Sequence, residues 1–257
     1  MKTLDKFFKI IELLENGNNL KLQDISNILN INKSTVHRFI SVMLKYNFVT
    51  KNEENGKYSL GLRFLNIATK IIDSIDIREI AHPYLTELEK ITGETIHLTT
   101  FDGKNVVYID KIESEKPIRM YSKIGNIAPM HCTAVGKAIL AFQKKEKINE
   151  IIKKVKFVRY TKNTITNEKE FRNCLEEIRK HGYAVDDCEH EEGICCIAIP
   201  IRDYSKRANS ALSVSALVSR MNLSNLLSFK DVLLEKGNLI SESLGFKASN
   251  IKYNIYK

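Results

Sequence analysis

Residues 22–45 constrain the fold of this chain more than any other segment. They read Leu22-Gln-Asp-Ile-Ser-Asn-Ile-Leu-Asn-Ile-Asn-Lys-Ser-Thr-Val-His-Arg-Phe-Ile-Ser-Val-Met-Leu-Lys45. The spacing predicts two short helices around a tight turn. In the second, Val36, Phe39, Ile40, Met43 and Leu44 recur at i, i+3, i+4, i+7 and i+8 and form an apolar back. Its front presents Ser34, Thr35, His37, Arg38, Ser41 and Lys45. Asn30 follows the apolar end of the first helix, where the chain often turns through a left-handed conformation; after Gly, Asn tolerates this best. Ile31 is placed to plug between the helices and Asn32 to cap the second. Lys21 stands where the first helix favours Ser or Thr, and Asp24 offsets that through the helix dipole.

Leu4, Phe7, Phe8, Ile11 and Leu14 form a third amphipathic stripe before the pair. After it come Phe48-Val-Thr-Lys51, Asn52-Glu-Glu-Asn-Gly56 and Lys57-Tyr-Ser-Leu60, read as strand, Asn-Gly turn and strand. Three helices and a hairpin make a winged helix-turn-helix. A short helix with a small, polar, cationic front suits the major groove of DNA, and Arg38 has the fork for a guanine edge. Lys33, Ser34, Thr35, His37, Arg38 and Ser41 are the expected contacts there, with Lys57 of the wing on phosphate. A winged helix that binds protein is the alternative. Charge argues for DNA: no acidic residue falls between Asp24 and Glu53, whereas Lys33, Arg38, Lys45 and Lys51 do.

At 257 residues the chain is long enough for a second core. Of its net charge of +9, residues 1–75 carry +4, so overall basicity points to a polyanion only weakly. No apolar run reaches the roughly 18 residues of a membrane span, and no secretion signal opens the chain. Five cysteines without a CxxC pair or zinc-finger spacing are expected to be reduced thiols in the cytoplasm.

The organisation expected is 1–61 for the winged helix, 62–76 for a linker helix on which Leu65, Ala68, Ile72 and Ile75 share a face, and 77–257 for a second domain. Asp76-Ile-Arg-Glu79 has the form of a capping box for a helix to about Thr92, which Pro83 should kink or restart. Strands follow at 95–100 and 105–109 around the turn signal Asp102-Gly103, with another candidate at 118–122. Helices are expected at about 133–143, 148–155 and 167–180, and strands at 183–185, 194–201 and 211–218. A closing helix should span 223–244. This pattern is α+β with an antiparallel sheet and flanking helices.

Three segments there could carry chemistry. His131-Cys-Thr-Ala-Val-Gly-Lys-Ala138 opens a helix whose free N–H groups suit an anion, although Gly136 and Ala138 also fit simple close packing. Asp186-Asp-Cys-Glu-His-Glu-Glu-Gly193 is an acidic loop before Cys195-Cys-Ile-Ala-Ile-Pro200. Ser213 and Ser215 share one face of a strand and must hydrogen-bond something. An enzyme with Cys196 as nucleophile is a rival reading, but a thiol in an apolar strand is unreactive. A metal site from His131, Cys132, Asp186 and Cys196 has no support from spacing. A second domain that only dimerises is a third alternative.

Seven segments together carry a family resemblance: Lys33-Ser-Thr-Val-His-Arg38, Tyr58-Ser-Leu-Gly61, Gly93-Glu-Thr-Ile-His97, Pro129–Ala138, Gly182-Tyr-Ala-Val-Asp-Asp187, Gly193-Ile-Cys-Cys-Ile-Ala198 and Ala211-Leu-Ser-Val-Ser215. In order and spacing they resemble the IclR family of bacterial transcriptional regulators over essentially the whole chain. The resemblance implies a winged helix-turn-helix and a GAF-like domain that binds a small effector. It also implies no catalysis and no cofactor or metal, assembly as dimers or dimers of dimers, and repression more often than activation. Carried over residue by residue, the effector site falls at Thr133, Ala134, Asp186, Cys196, Ser213 and Ser215. Ala134 stands where some acid-binding members have Gly. Effectors in the family are often carboxylates, keto acids, sugar acids or aromatics. Asp186 is expected to accept from a ligand hydroxyl or a bridging water rather than meet the carboxylate, which favours a hydroxy or keto sugar acid.

Overall fold

A computed structural model describes residues 3–17, 19–117, 120 and 122–247, with backbone alone at 71–74. The chain divides into two compact units, Met1–Ile75 and Asp76–Lys257.

The first unit contains helices α1 (Thr3–Glu15), α2 (Leu22–Leu29) and α3 (Lys33–Lys45), strands β1 (Val49–Lys51) and β2 (Tyr58–Leu60), and helix α4 (Arg63–Ser74). The turn between α2 and α3 follows the sequence argument. Asn30 is left-handed at φ 49°, and Ile31 is buried in the core that Val36, Ile40 and Met43 build from α3. The caps differ from expectation. Asn32 occupies the N-cap position of α3 but makes no side-chain cap bond. At α2, Asp24 reaches back to accept from the Lys21 N–H at 3.0 Å; the Lys21 ammonium has no lone pair, so the box is half made. The stripe of α1 also splits. Ile10 and Leu14 are buried with Phe7 and Ile11 against them, while Leu4 and Phe8 are 68% and 58% exposed.

The wing is broader than an Asn-Gly two-residue turn. Asn52 accepts through its side chain from the N–H groups of Glu54 and Asn55, and only Gly56 of the Asn-Gly pair has positive φ. A type I′ turn needs both. Leu20 adds a bridge to Tyr58 on the outside of the hairpin. On α4, Leu65 is exposed and Ala68 half-buried, and Ile75 is exposed just beyond it; the side chain of Ile72 lies outside the described residues.

The second unit begins with α5 (Ile77–Thr92) and a hairpin of β3 (Thr95–Phe101) and β4 (Val106–Ile112), then β5 (Ile127–Ala128). Three helices follow, α6 (Ala134–Ala141), α7 (Lys145–Lys154) and α8 (Glu168–His181). Strands β6 (Ala184–Asp187), β7 (Ile194–Arg202) and β8 (Ala208–Leu217) precede α9 (Leu223–Leu227) and α10 (Lys230–Ser243). The six strands form one antiparallel sheet in the order β5-β4-β3-β8-β7-β6. Alternation along the strands builds two cores. Ile96, Leu98, Ile197, Ile199, Leu212 and Val214 pack with α5, α9 and α10. Ala198, Ala211 and Val106 face α6, α7 and α8 on the other side.

Four expectations are corrected here. Asp76 caps α5 by accepting from the Arg78 N–H at 2.8 Å, a simple cap. Pro83 does not restart that helix: it lies on an exposed side, where water can satisfy the carbonyl its missing N–H leaves free. The candidate strand at 118–122 is not one at Met120 or Ser122, and its other residues lie outside the described set; the short edge strand is instead Ile127–Ala128. The closing helix is two helices, because i→i−3 bonds at Ser228 and Phe229 tighten the chain between them.

Candidate nucleic-acid interface and ligand pocket

In the first unit, Lys33, Ser34, His37, Arg38 and Ser41 of α3 are exposed and Thr35 is half-buried. They lie opposite Val36, Ile40 and Met43, so burial of the back fixes the direction of the front. The Arg38 guanidinium leans over the Phe39 ring, 5.9 Å from its centre. Lys57 is half-buried at the end of the wing loop, its N–H held by the Asn55 side chain. Lys51 is paired with Glu53 at 3.0 Å, so its charge is partly neutralised within the wing.

In the second unit, all six residues named for a ligand line one cavity of about 50 Å³. The sheet register explains why. Ser213 lies opposite Ala198 and His97, and Ser215 opposite Cys196 and Thr95, while Asp186 pairs with Cys196. All therefore project toward the α6 side. Thr133 caps α6: its hydroxyl donates to the Pro129 carbonyl at 2.6 Å and accepts from the Gly136 N–H at 3.1 Å. That leaves the N–H groups of Ala134 and Val135, the first two of the helix, without intrahelical acceptors at the cavity wall. Gly136 is required by close approach, because a Cβ there would sit 2.7 Å from the Pro129 carbonyl oxygen and the Met130 Cα.

Sequence reading missed His97, Tyr108, Ser122 and His190, which also line the cavity. His97 is buried between two hydroxyls, with Nε2 2.7 Å from Ser122 and Nδ1 3.3 Å from Ser215. Burial, with the Lys111 charge nearby, pushes its pKa down to about 3, so the ring is neutral. Lys111 holds the cavity rim, donating to the carbonyls of Met120 and Ser122 at 3.3 and 2.8 Å. The alternation Thr95, His97, Thr99 against Ile96 and Leu98 was a usable signal for a polar face.

Asp186 accepts from the N–H groups of Glu189 and His190 at 2.7 and 3.4 Å. Burial nonetheless raises its pKa to about 7, against the opposing pull of Lys137. A carboxyl with its pKa near 7 can donate as well as accept, whereas the expectation from sequence was an acceptor. Behind this wall, Lys137 of α6 and Glu189 form a buried ion pair.

The Cys196 thiol is pushed well above its ordinary pKa by burial, and that of Cys132 up to about 12. Neither is a thiolate, the form a nucleophile needs. His131 turns away from this cavity. Its Nε2–H donates to the Val158 carbonyl at 3.0 Å and its ring packs on Phe157. His131, Cys132, Asp186 and Cys196 therefore do not converge on one point. Among the described residues no helix is long and apolar enough to cross a membrane.

Comparison with known proteins finds a family model matching each end of the chain. Residues 3–53 match the model of the IclR helix-turn-helix domain, and residues 69–242 that of the bacterial transcriptional regulator IclR C-terminal domain. The chain is 34% identical over 249 residues to the HTH-type transcriptional regulator XynR of Escherichia coli K12, covering 96% of this chain and 99% of that protein. It is 29% identical over 248 residues to the HTH-type transcriptional repressor AllR of the same strain, covering 96% and 92%. The crystal structure of Thermotoga maritima IclR superposes with a TM-score of 0.65 at 35% identity, covering 95% of this chain and 99% of that one. With a helix-turn-helix domain for DNA at one end and the family's ligand-binding domain at the other, the chain belongs to the IclR family of transcriptional regulators, which are not enzymes.

Proposed function

We propose that this chain is a repressor whose affinity for operator DNA is set by a small hydroxy or keto acid bound in the pocket of Asp186, Cys196, Ser213 and Ser215. One observation carries the reading: the six residues named from sequence line a single cavity that also borders Ala134 and Val135, whose N–H groups open α6 and have no intrahelical acceptor. Those N–H groups and the helix dipole favour a carboxylate. Ser213, Ser215 and neutral His97 supply hydrogen bonds for hydroxyl or keto oxygens, and Asp186, when protonated, donates a further one. The repressor sign follows the AllR relative.

A cavity of about 50 Å³ has room for a water or two rather than a sugar acid. The acid must therefore displace part of the wall. A ligand that fits one arrangement better than another is what regulation of a distant site requires. Residues 62–76, spanned largely by α4, carry the covalent connection between the units. Calorimetry with a panel of hydroxy and keto acids, D-gluconate among them, should find a binder whose affinity falls as pH rises through about 7, where Asp186 loses its proton. Ser213→Ala/Ser215→Ala should weaken it by about tenfold or more. Equal binding by wild type and the double variant would misplace the pocket.

Assembly as a dimer or dimer of dimers completes the reading, since two recognition helices read a pseudo-palindrome with more specificity than one. The exposed apolar residues Leu4 and Phe8 on α1, Leu62 just before α4 and Leu65 in its first turn offer surface for it. Light scattering at micromolar concentration should return at least twice the chain mass. A monomer with full operator affinity would contradict this.

A further inference from the structure

A second cavity of the Asp76–Lys257 unit is about ten times larger than the proposed effector pocket. Its volume of about 480 Å³ is that of a small-molecule site. The floor is apolar, built from Ala128 of β5, Met130 just after it, Ile151 of α7, and Val155 and Val158 beyond that helix. Ile127, Val158 and Tyr160 leave further apolar surface exposed at its edge. Lys104, Lys154 and Lys156 stand around it against one carboxylate, Glu150. That carboxylate is already held by Lys154 and Lys147 at 2.8 and 3.1 Å, and both cations keep its pKa below the ordinary range. The rim therefore carries an excess of positive charge over an apolar floor.

The geometry points to a second ligand site in this groove, for an amphipathic organic anion with an aromatic or branched apolar body and a carboxylate or sulfonate head. The body covers Ile151, Val155 and Val158, and the head meets Lys104 and Lys156. The groove and the effector pocket have no lining residue in common, but their linings touch. Met130 and His131 border it, and three residues further on Ala134 borders the pocket. Tyr160 lines the groove, and its ring packs edge-on against that of His190, which lines the pocket, with 5.2 Å between centres. An occupant that moves Tyr160 or the 129–131 segment thus presses on both sides of the pocket. This coupling, unlike the site itself, rests on the assignment of the pocket.

The probe is 1-anilinonaphthalene-8-sulfonate, an aromatic anion, titrated into the full chain and followed by its emission. The result expected is saturable binding at one site per chain. Lys104→Glu/Lys156→Glu changes two exposed residues and should leave the fold intact while weakening the probe by about tenfold. Val155→Asp, placing a charge on the floor, should weaken it further. Thermal unfolding of each variant must match wild type, because loosened chains bind this dye nonspecifically. Ser213→Ala/Ser215→Ala should bind the probe as wild type does. Three results would overturn the proposal: no saturable binding, equal binding by wild type and Lys104→Glu/Lys156→Glu, or loss of the probe in Ser213→Ala/Ser215→Ala. A groove covered by a second copy of the chain would appear as absent probe binding together with a lower mass for the groove variants, which also overturns it.

Discussion

Lys137→Met is expected to destabilise the second unit by about 3–5 kcal/mol, the cost of leaving one member of a buried ion pair alone. Lys137 is 1% exposed in the middle of α6, a helix buried on all sides, and its ammonium meets Glu189. Glu189 already has a buried carboxylate oxygen, Oε2, with no hydrogen-bond partner, and burial raises its pKa while Lys137 opposes the rise. Without the lysine the buried carboxylate must protonate or stay charged without its counter-ion, and either outcome costs stability. Asp186 loses the same opposing charge, so its pKa should climb further. Lys137→Met/Glu189→Leu removes both charges and should recover most of the loss, since a well-packed apolar pair often replaces a buried ion pair at little cost. Urea unfolding of the three proteins checks this. A single Lys137→Met variant within about 1 kcal/mol of wild type would show that the pair is not the support inferred here.

Arg38→Ala should cost about 1–3 kcal/mol of specific DNA binding and relax preference at one base position. The guanidinium is exposed on the front of α3, and a fork on a guanine edge is the strongest base contact this face can make. Lys57→Ala should behave differently. A wing lysine on phosphate contributes to every sequence alike, so its loss should weaken all DNA equally and reduce the salt slope by about one. Anisotropy titrations at several salt concentrations separate the two effects. Unchanged operator affinity in Arg38→Ala would mean that this face does not read bases.

Local periodicity made the first unit legible. The stripe Val36, Phe39, Ile40, Met43 and Leu44 fixed which side of α3 faces outward, and Asn30 marked the turn through its left-handed tolerance. The same rule overreached on α1, where Leu4 and Phe8 fit the stripe but stay exposed; hydrophobicity does not say which apolar residues a small core has room for. In the second unit the six pocket residues came from the family resemblance, and strand alternation correctly put Ser213 and Ser215 on one face. What remained hidden depends on register between distant segments. His97 meets Ser122 and Ser215 only because β3 lies between β4 and β8. Lys137 and Glu189 are 52 residues apart, and neither reads as buried in isolation. The raised pKa of Asp186 arises from its burial in the fold, which composition does not encode.

The most direct test of the account is anisotropy of a labelled operator, selected from random-sequence DNA, with and without a saturating acid found by calorimetry, at fixed salt. The account predicts that the acid changes operator affinity by about 5–150-fold in the wild type, the usual range of coupling between two sites. Operator DNA should change the affinity for the acid by the same factor. Ser213→Ala/Ser215→Ala should bind DNA as wild type does and need about tenfold more acid or more for the same response. An unchanged operator affinity with the wild-type pocket saturated, or the same acid dependence in the double variant, would contradict it.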